Sequence, residues 1–200
     1  MRKLILGWVL PLLLADQILK IYIKLNYTIG KTMELVPGVL EFAFIENEGM
    51  AFGWALPGTA GKLLLTTFRI LASIGIGIYL FRLVKDKVHV GMLRCVALIW
   101  AGAIGNIIDG ALYGQIFSFS SWTVLATISS EGYAPYFMGH VVDMFHFTLR
   151  WPSWMPFSLD GKEIFPPIFN IADAAISIGV IWIILRQKTF FNSLSSSSNG

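Results

Sequence analysis

The chain has 200 residues, 56% hydrophobic and only 14% charged, against roughly 25% charged in a soluble domain; with a mean hydropathy of +0.68, it reads as an integral membrane protein. Its net charge of +3 comes from 15 Lys and Arg against 12 Asp and Glu, without a basic block or basic-aromatic interleaving, so nucleic acid is excluded as a partner and the excess is read as topology. The single cysteine, Cys95, excludes an internal disulfide framework.

Four apolar runs approach the roughly 20 residues a helix needs to cross the hydrocarbon: Leu4 to Leu25, Lys62 to Phe81, Gly91 to Leu112 and Phe169 to Leu185. The first begins like a secretory signal, but no small-residue cleavage site follows and it is read as a retained anchor. Arg2 and Lys3, then Arg82, Lys85, Lys87 and Arg94, then Arg186 and Lys188 place both termini and the short middle loop in the cytoplasm. The two long loops then face outward. In the first, Val39 to Ile45 follows the turn signal Pro37-Gly38 and is predicted as a short strand. It leads into Asn47-Glu48-Gly49-Met50-Ala51-Phe52-Gly53, read either as a loop presenting Asn47 to a bound peptide or as an ordinary turn. The second, about Gly114 to Ile168, carries Trp122, Tyr133, Tyr136, Phe137, Trp151 and Trp154, a composition suited to the membrane interface. Its four prolines after Arg150 exclude one long helix there. Residues 1–190 are expected to form one membrane-embedded domain, and the serine-rich tail 191–200 to be disordered. The fold class expected is mainly α, with four transmembrane helices, a small extracytoplasmic β element and an interfacial loop region.

An ionisable residue in a membrane span costs about 2.5 kcal/mol or more and asks for a functional reason. Asp16 is 13 positions from Lys3, Asp109 is 15 from Arg94, and Asp173 is 13 from Arg186. At about 1.5 Å per residue each lies roughly 20 Å from the cytoplasmic boundary. Three carboxylates on three spans therefore converge at one depth, near the loop bearing Asp143. Asp16 and Lys20, at i and i+4, are expected to neutralise each other. Asn106 and Asp109, after Gly102 and Gly105, serve equally well as polar glue between helices. Arg69 is expected to reach outward along its helix. His140 and His146 lack further His or Cys neighbours, so no metal site is read.

Asp143 and Asp173 together suit acid-base chemistry. Two close carboxylates cannot both ionise cheaply, so one keeps a proton while the other draws a proton from water. Peptide hydrolysis by such a pair needs no cofactor.

Five ordered blocks carry a resemblance: Asp16-Gln17-Ile18-Leu19-Lys20, Asn47-Glu48-Gly49-Met50-Ala51-Phe52, Gly102-Ala103-Ile104-Gly105-Asn106-Ile107-Ile108-Asp109, Gly139-His140-Val141-Val142-Asp143 and Phe169-Asn170-Ile171-Ala172-Asp173. With the four spans, these make the chain resemble the lipoprotein signal peptidases, or signal peptidase II, of bacterial inner membranes. The resemblance implies an aspartyl endopeptidase that removes the signal peptide from a prolipoprotein whose cysteine carries diacylglycerol. The expected partners are that substrate and membrane lipid, around a monomeric enzyme whose site faces the periplasm. It also implies Asp143 and Asp173 as the catalytic pair, Asn106, Asp109 and Asn170 as their polar support, and Asn47 as part of the substrate-facing loop. Asp16 and Lys20 match the first-helix motif, with a structural or substrate-positioning role. Two features depart from the pattern: Gly110 stands where the family usually has arginine, and the segments on either side of Asp143 are long. The extra residues are expected to form an interfacial cover that tolerates trimming within Phe117 to Ser130.

Two other classes stay open on residues alone. A small proton-coupled transporter would continue its polar residues toward the cytoplasmic side, whereas the inner halves of the spans are almost purely apolar. A non-catalytic assembly protein would tolerate Asp143→Asn.

Overall fold

A computed structural model describes residues 1–48, 58–156 and 159–190. Three helices are long and apolar enough to cross a bilayer: α1 over Arg2–Asn26, α2 over Thr59–Lys85 and α3 over Val90–Ile116. The fourth, α4, runs Ile171–Leu185 for 15 residues, about 22 Å of helix against a hydrocarbon core of about 30 Å. Of the four transmembrane helices expected, three thus have the length of a span and the fourth is a shorter apolar helix. Arg186 closes α4, and one more helical turn follows at 187–190.

Two of the long helices contain a wider π turn. In α1 it is Ile5–Val9, just before Pro11, which has no N–H to continue the ladder. In α3 it is Asp109–Tyr113, and such bulges gather at functional positions.

The expected β element is larger than the sequence suggested. Strands β1 (Thr32–Val36), β2 (Leu40–Asn47) and β3 (Val141–Phe147) form an antiparallel sheet in the order β1-β2-β3. Gly38, with φ of 69°, makes the β1–β2 turn, a conformation glycine adopts without strain. Asp143 thus lies on a strand rather than in the loop the sequence implied. Its strand neighbour Phe145 also exchanges backbone hydrogen bonds with Phe169 at 2.8 and 3.0 Å. This clamps the start of α4 against β3.

Two apolar clusters bracket the polar residues. One, at the end away from the sheet, joins Val9, Leu80, Leu83, Val88, Met92, Cys95 and Val96. The other, under the sheet, joins Ile23, Tyr27, Phe44, Tyr113, Phe117, Val142 and Met144. Between them α3 and α4 approach so closely that a Cβ on Gly102 would fall 2.3 Å from the Ala172 carbonyl oxygen. Small residues permit this contact, and it brings Asn106 within reach of α4.

The long second loop is woven into the fold. Phe117, Ser120 and Ala126 are buried, and Ile29 N–H donates to the Ser121 carbonyl at 2.9 Å. Trimming within Phe117 to Ser130 would cut these ties, so the idea of a dispensable cover is withdrawn for this part. Trp122, Tyr136 and Trp154 are exposed, as an interfacial belt requires, whereas Tyr133 turns inward and accepts from the His140 N–H at 2.7 Å. The tail 191–200 and the Gly49–Gly53 part of the first-loop block lie outside the described residues.

Candidate active site

The site grows from the N-terminus of α4. Asn170 caps this helix: its side-chain oxygen accepts from the Asp173 N–H at 2.9 Å, while Asp173 Oδ2 accepts from the Asn170 N–H at 3.4 Å. A reciprocal box of this kind fixes both side chains. Asp16 from α1 completes the cap by accepting from the Ala172 N–H at 2.9 Å. The helix dipole favours both acids at this end.

The amide of Asn170 then reaches across to β3 and donates to Asp143 Oδ1 at 2.7 Å. Asn47, at the end of β2, donates to Asp143 Oδ2 at 3.2 Å. On the other side, Asn106 Nδ2 donates to Asp173 Oδ1 at 2.8 Å, and Asn106 Oδ1 accepts from both Lys20 Nζ at 3.0 Å and Asn170 Nδ2 at 3.2 Å. The two carboxylates are therefore bridged by one residue, Asn170, and flanked by Asn47 and Asn106.

Beneath them lies a fully buried charge cluster. Lys20 contacts Asp16 at 3.0 Å and Asp109 at 2.7 Å. The expected Asp16–Lys20 neutralisation holds, but the ammonium is shared among three partners, Asp16, Asp109 and Asn106, rather than given to one. Asp109 also accepts from Gln17 at 2.9 Å and from the Val142 N–H at 3.3 Å. Its role as glue thus extends from α1 to β3. The convergence of Asp16, Asp109 and Asp173 at one level is real.

Asp143 is buried, with 3% of its surface exposed. Burial first, and the negative charge of Asp173 second, push its carboxyl from the ordinary 3.8 up to about 7, against the opposing hydrogen bonds of Asn47 and Asn170 and the charge of Lys20. The folded state thus binds a proton that the unfolded chain has released. Stability contributed by Asp143 accordingly falls as pH rises from about 4 to about 7.

Sequence reasoning missed a second buried group beside the first. Lys24 pairs with Glu46 and lies 3.0 Å from Ser120 Oγ, and His140 Nδ1 stands 3.1 Å from Glu46. Burial alone would raise Glu46, but its His140 contact and the charge of Lys24 prevail and hold it below the usual carboxylate range. Glu46 immediately precedes Asn47, so this group anchors the end of β2. Lys24, one turn beyond Lys20, was the signal that could have disclosed it. His146 is likewise committed to Glu41 and Glu163, at 2.9 and 3.2 Å. Arg69 is half-buried and lies within electrostatic reach of Asp173, Asp143 and Asp109.

Apolar helices with bilayer dimensions, closing at one end around an enclosed set of carboxylates and amides under a small sheet, define a membrane protein with a reactive polar site. The chain belongs to the signal peptidase II family, a family of peptidases: the family model described as signal peptidase (SPase) II matches residues 8–189. It is 42% identical over 191 residues to the lipoprotein signal peptidase of Porphyromonas gingivalis, covering 92% of this chain and 82% of that one. It is 33% identical over 188 residues to the lipoprotein signal peptidase of Amoebophilus asiaticus, with 91% and 76% covered. Among solved structures, a bacterial membrane enzyme determined by the in meso method at 2.3 Å resolution superposes with a TM-score of 0.61 at 28% identity, covering 90% of this chain and 85% of that one. A second, at 1.9 Å resolution, gives 0.59 at 29% identity, with 90% and 88% covered. Membership of a peptidase family sets aside the transporter and assembly-protein readings.

Proposed function

We propose that this protein is an aspartyl endopeptidase that cleaves the signal peptide from diacylglyceryl-modified prolipoproteins at the periplasmic face of the bacterial inner membrane. The observation that carries the reading is the bridging of Asp143 and Asp173 by Asn170, with Asp143 pushed up to about 7. Asp143 is then the acid and Asp173 the base. Asp173 takes a proton from a water molecule, whose oxygen attacks the scissile carbonyl carbon. Asp143 gives its proton to the carbonyl oxygen. As the tetrahedral intermediate collapses, the C–N bond breaks and a proton passes to the leaving amine. Asn47, Asn106 and Asn170 keep both carboxylates aimed, while Asp109, Asp16 and Lys20 hold the helices that carry them. No cofactor enters this scheme.

The substrate class is supported by an apolar cavity of about 410 Å³ beside Asp173, lined by Phe147, Leu149, Phe165, Phe169, Ile178 and Ile181. It suits a lipidated cysteine next to the scissile bond. In this reading α4 crosses as a fourth, shorter span, residues 1–190 act as one domain, and both termini are cytoplasmic. The enzyme is read as a monomer in contact with membrane lipid.

Cleavage of a diacylglyceryl-modified prolipoprotein and of its unmodified precursor, compared with purified protein, tests the substrate class. Each buried CH₂ contributes about 0.8 kcal/mol, so kcat/KM for the unmodified precursor is expected to be lower by at least about tenfold. Equal rates would point to a peptidase indifferent to the lipid.

The same pair predicts the pH profile. Activity needs one proton on Asp143, so kcat/KM is expected to fall as pH rises through about 7, by about tenfold per unit beyond it. The limb belongs to the coupled pair, and rate measurements between pH 5 and 9 would reveal it. A flat profile across that range would contradict the acid role.

A further inference from the structure

Arg69 stands within the apolar stretch of α2, where a guanidinium is costly and asks for a functional reason. Thr66 and Ser73, three positions before it and four after, are buried polar residues of the same helix, so the three share one face. That face is turned toward the site. Thr66 Oγ1 donates to the Phe137 carbonyl at 3.3 Å, and the Ser73 carbonyl accepts from Trp100 Nε1 of α3 at 3.0 Å. Arg69 lies one turn, about 6 Å, nearer the sheet than Ser73. This sets it opposite the part of α3 that leads to Asn106.

The guanidinium is within electrostatic reach of Asp173, Asp143 and Asp109. Yet among the described residues it makes no hydrogen bond and no ion pair. Lys20 is different: its ammonium is consumed by Asp16, Asp109 and Asn106. Gly110, directly after Asp109, brings no cation, and nothing lies within 4 Å of where its Cβ would stand. Lys20 balances only one of Asp16 and Asp109, and the singly protonated pair adds a further negative charge. A half-buried planar fork of donors thus stands within reach of a negative site, with no acceptor for it among the described residues.

We propose that Arg69 is a substrate-binding residue whose guanidinium donates to a backbone carbonyl of the bound peptide beside the scissile bond, holding the chain across the Asp143–Asp173 pair. This rests on the peptidase assignment of that pair. The carbonyl supplies an acceptor that the described residues do not, and the neighbouring carboxylates hold the cation in place without consuming its donors.

Binding separates this role from turnover. In an Asp143→Asn background, the affinity of a diacylglyceryl-modified prolipoprotein peptide is measured in detergent micelles with Arg69, Arg69→Lys and Arg69→Gln. A hydrogen bond to a charged donor is expected to make Arg69→Gln bind about tenfold more weakly, with Arg69→Lys between the two. Unchanged affinity in Arg69→Gln overturns the proposal, whatever happens to its melting temperature. If Arg69→Gln does not fold, Arg69→Lys decides in the otherwise wild-type enzyme. A KM raised several-fold at an unaltered melting temperature supports the contact, and a wild-type KM overturns it. Full turnover by Asp143→Asn would instead sink the carboxylate pair, leaving the affinity series readable by itself.

Discussion

Asp143→Asn and Asp173→Asn are each expected to lower kcat for cleavage of a lipidated prolipoprotein by about 10³-fold or more, since positioned acid-base groups contribute roughly 10² to 10⁴ and this scheme uses both carboxyls in one cycle. The asparagine at 143 still offers an oxygen to the Asn170 amide, which now bonds Asp143 at 2.7 Å, so the architecture stays. It cannot hold or return a proton. Stability gives an independent control. Because the folded-state value of Asp143 is raised to about 7, its ionised form opposes folding above that pH, and neutralising it there should leave the melting temperature unchanged or higher. Loss of activity together with a markedly lower melting temperature would indicate a structural role instead. Turnover near wild type in either variant would remove the mechanism.

Lys20→Met is expected to destabilise the protein by about 3 to 5 kcal/mol, the cost of leaving buried charge without its partner. Lys20, Asp16 and Asp109 are all 0% exposed, and the ammonium stands within 3.0 Å of each carboxylate. Methionine fills much of the same volume, so the effect comes from charge rather than from a cavity. Reversible unfolding in detergent, followed by tryptophan fluorescence, would measure it. Adding Asp16→Asn and Asp109→Asn to Lys20→Met should recover much of the loss, because the uncompensated charges then disappear together. A change below about 1 kcal/mol in the single variant, typical of solvated pairs, would show that water reaches the cluster.

What the sequence disclosed and what it hid divide along physical lines. Long apolar runs and basic flanks made the helices legible, since each signal is local. Counting 1.5 Å per residue also placed Asp16, Asp109 and Asp173 at one level, where Lys20 and Asn106 now join them. Strand β1, with every residue exposed, and β3, which pairs with β2 across about a hundred residues, left no such local trace. Asn170 was legible as a polar neighbour of Asp173, but not as the amide that also reaches Asp143, because that depends on Phe145 and Phe169 pairing. Lys24 and Glu46 are 22 positions apart, on different elements, and meet only when α1 and β2 have packed. Arg69 resisted reading for a related reason: a lone cation in an apolar helix looks the same whether it turns to the lipid boundary or to a cluster of acids.

The bond from the Ala172 N–H to Asp16 joins residues 156 positions apart, and α4 is the last described helix built on that contact. A ribosome that has not yet made Ile171 therefore holds a chain with the first acid in place and its counterpart missing. On the proposed mechanism, hydrolytic competence therefore waits until α4 has been made and has docked its first turn on Asp16.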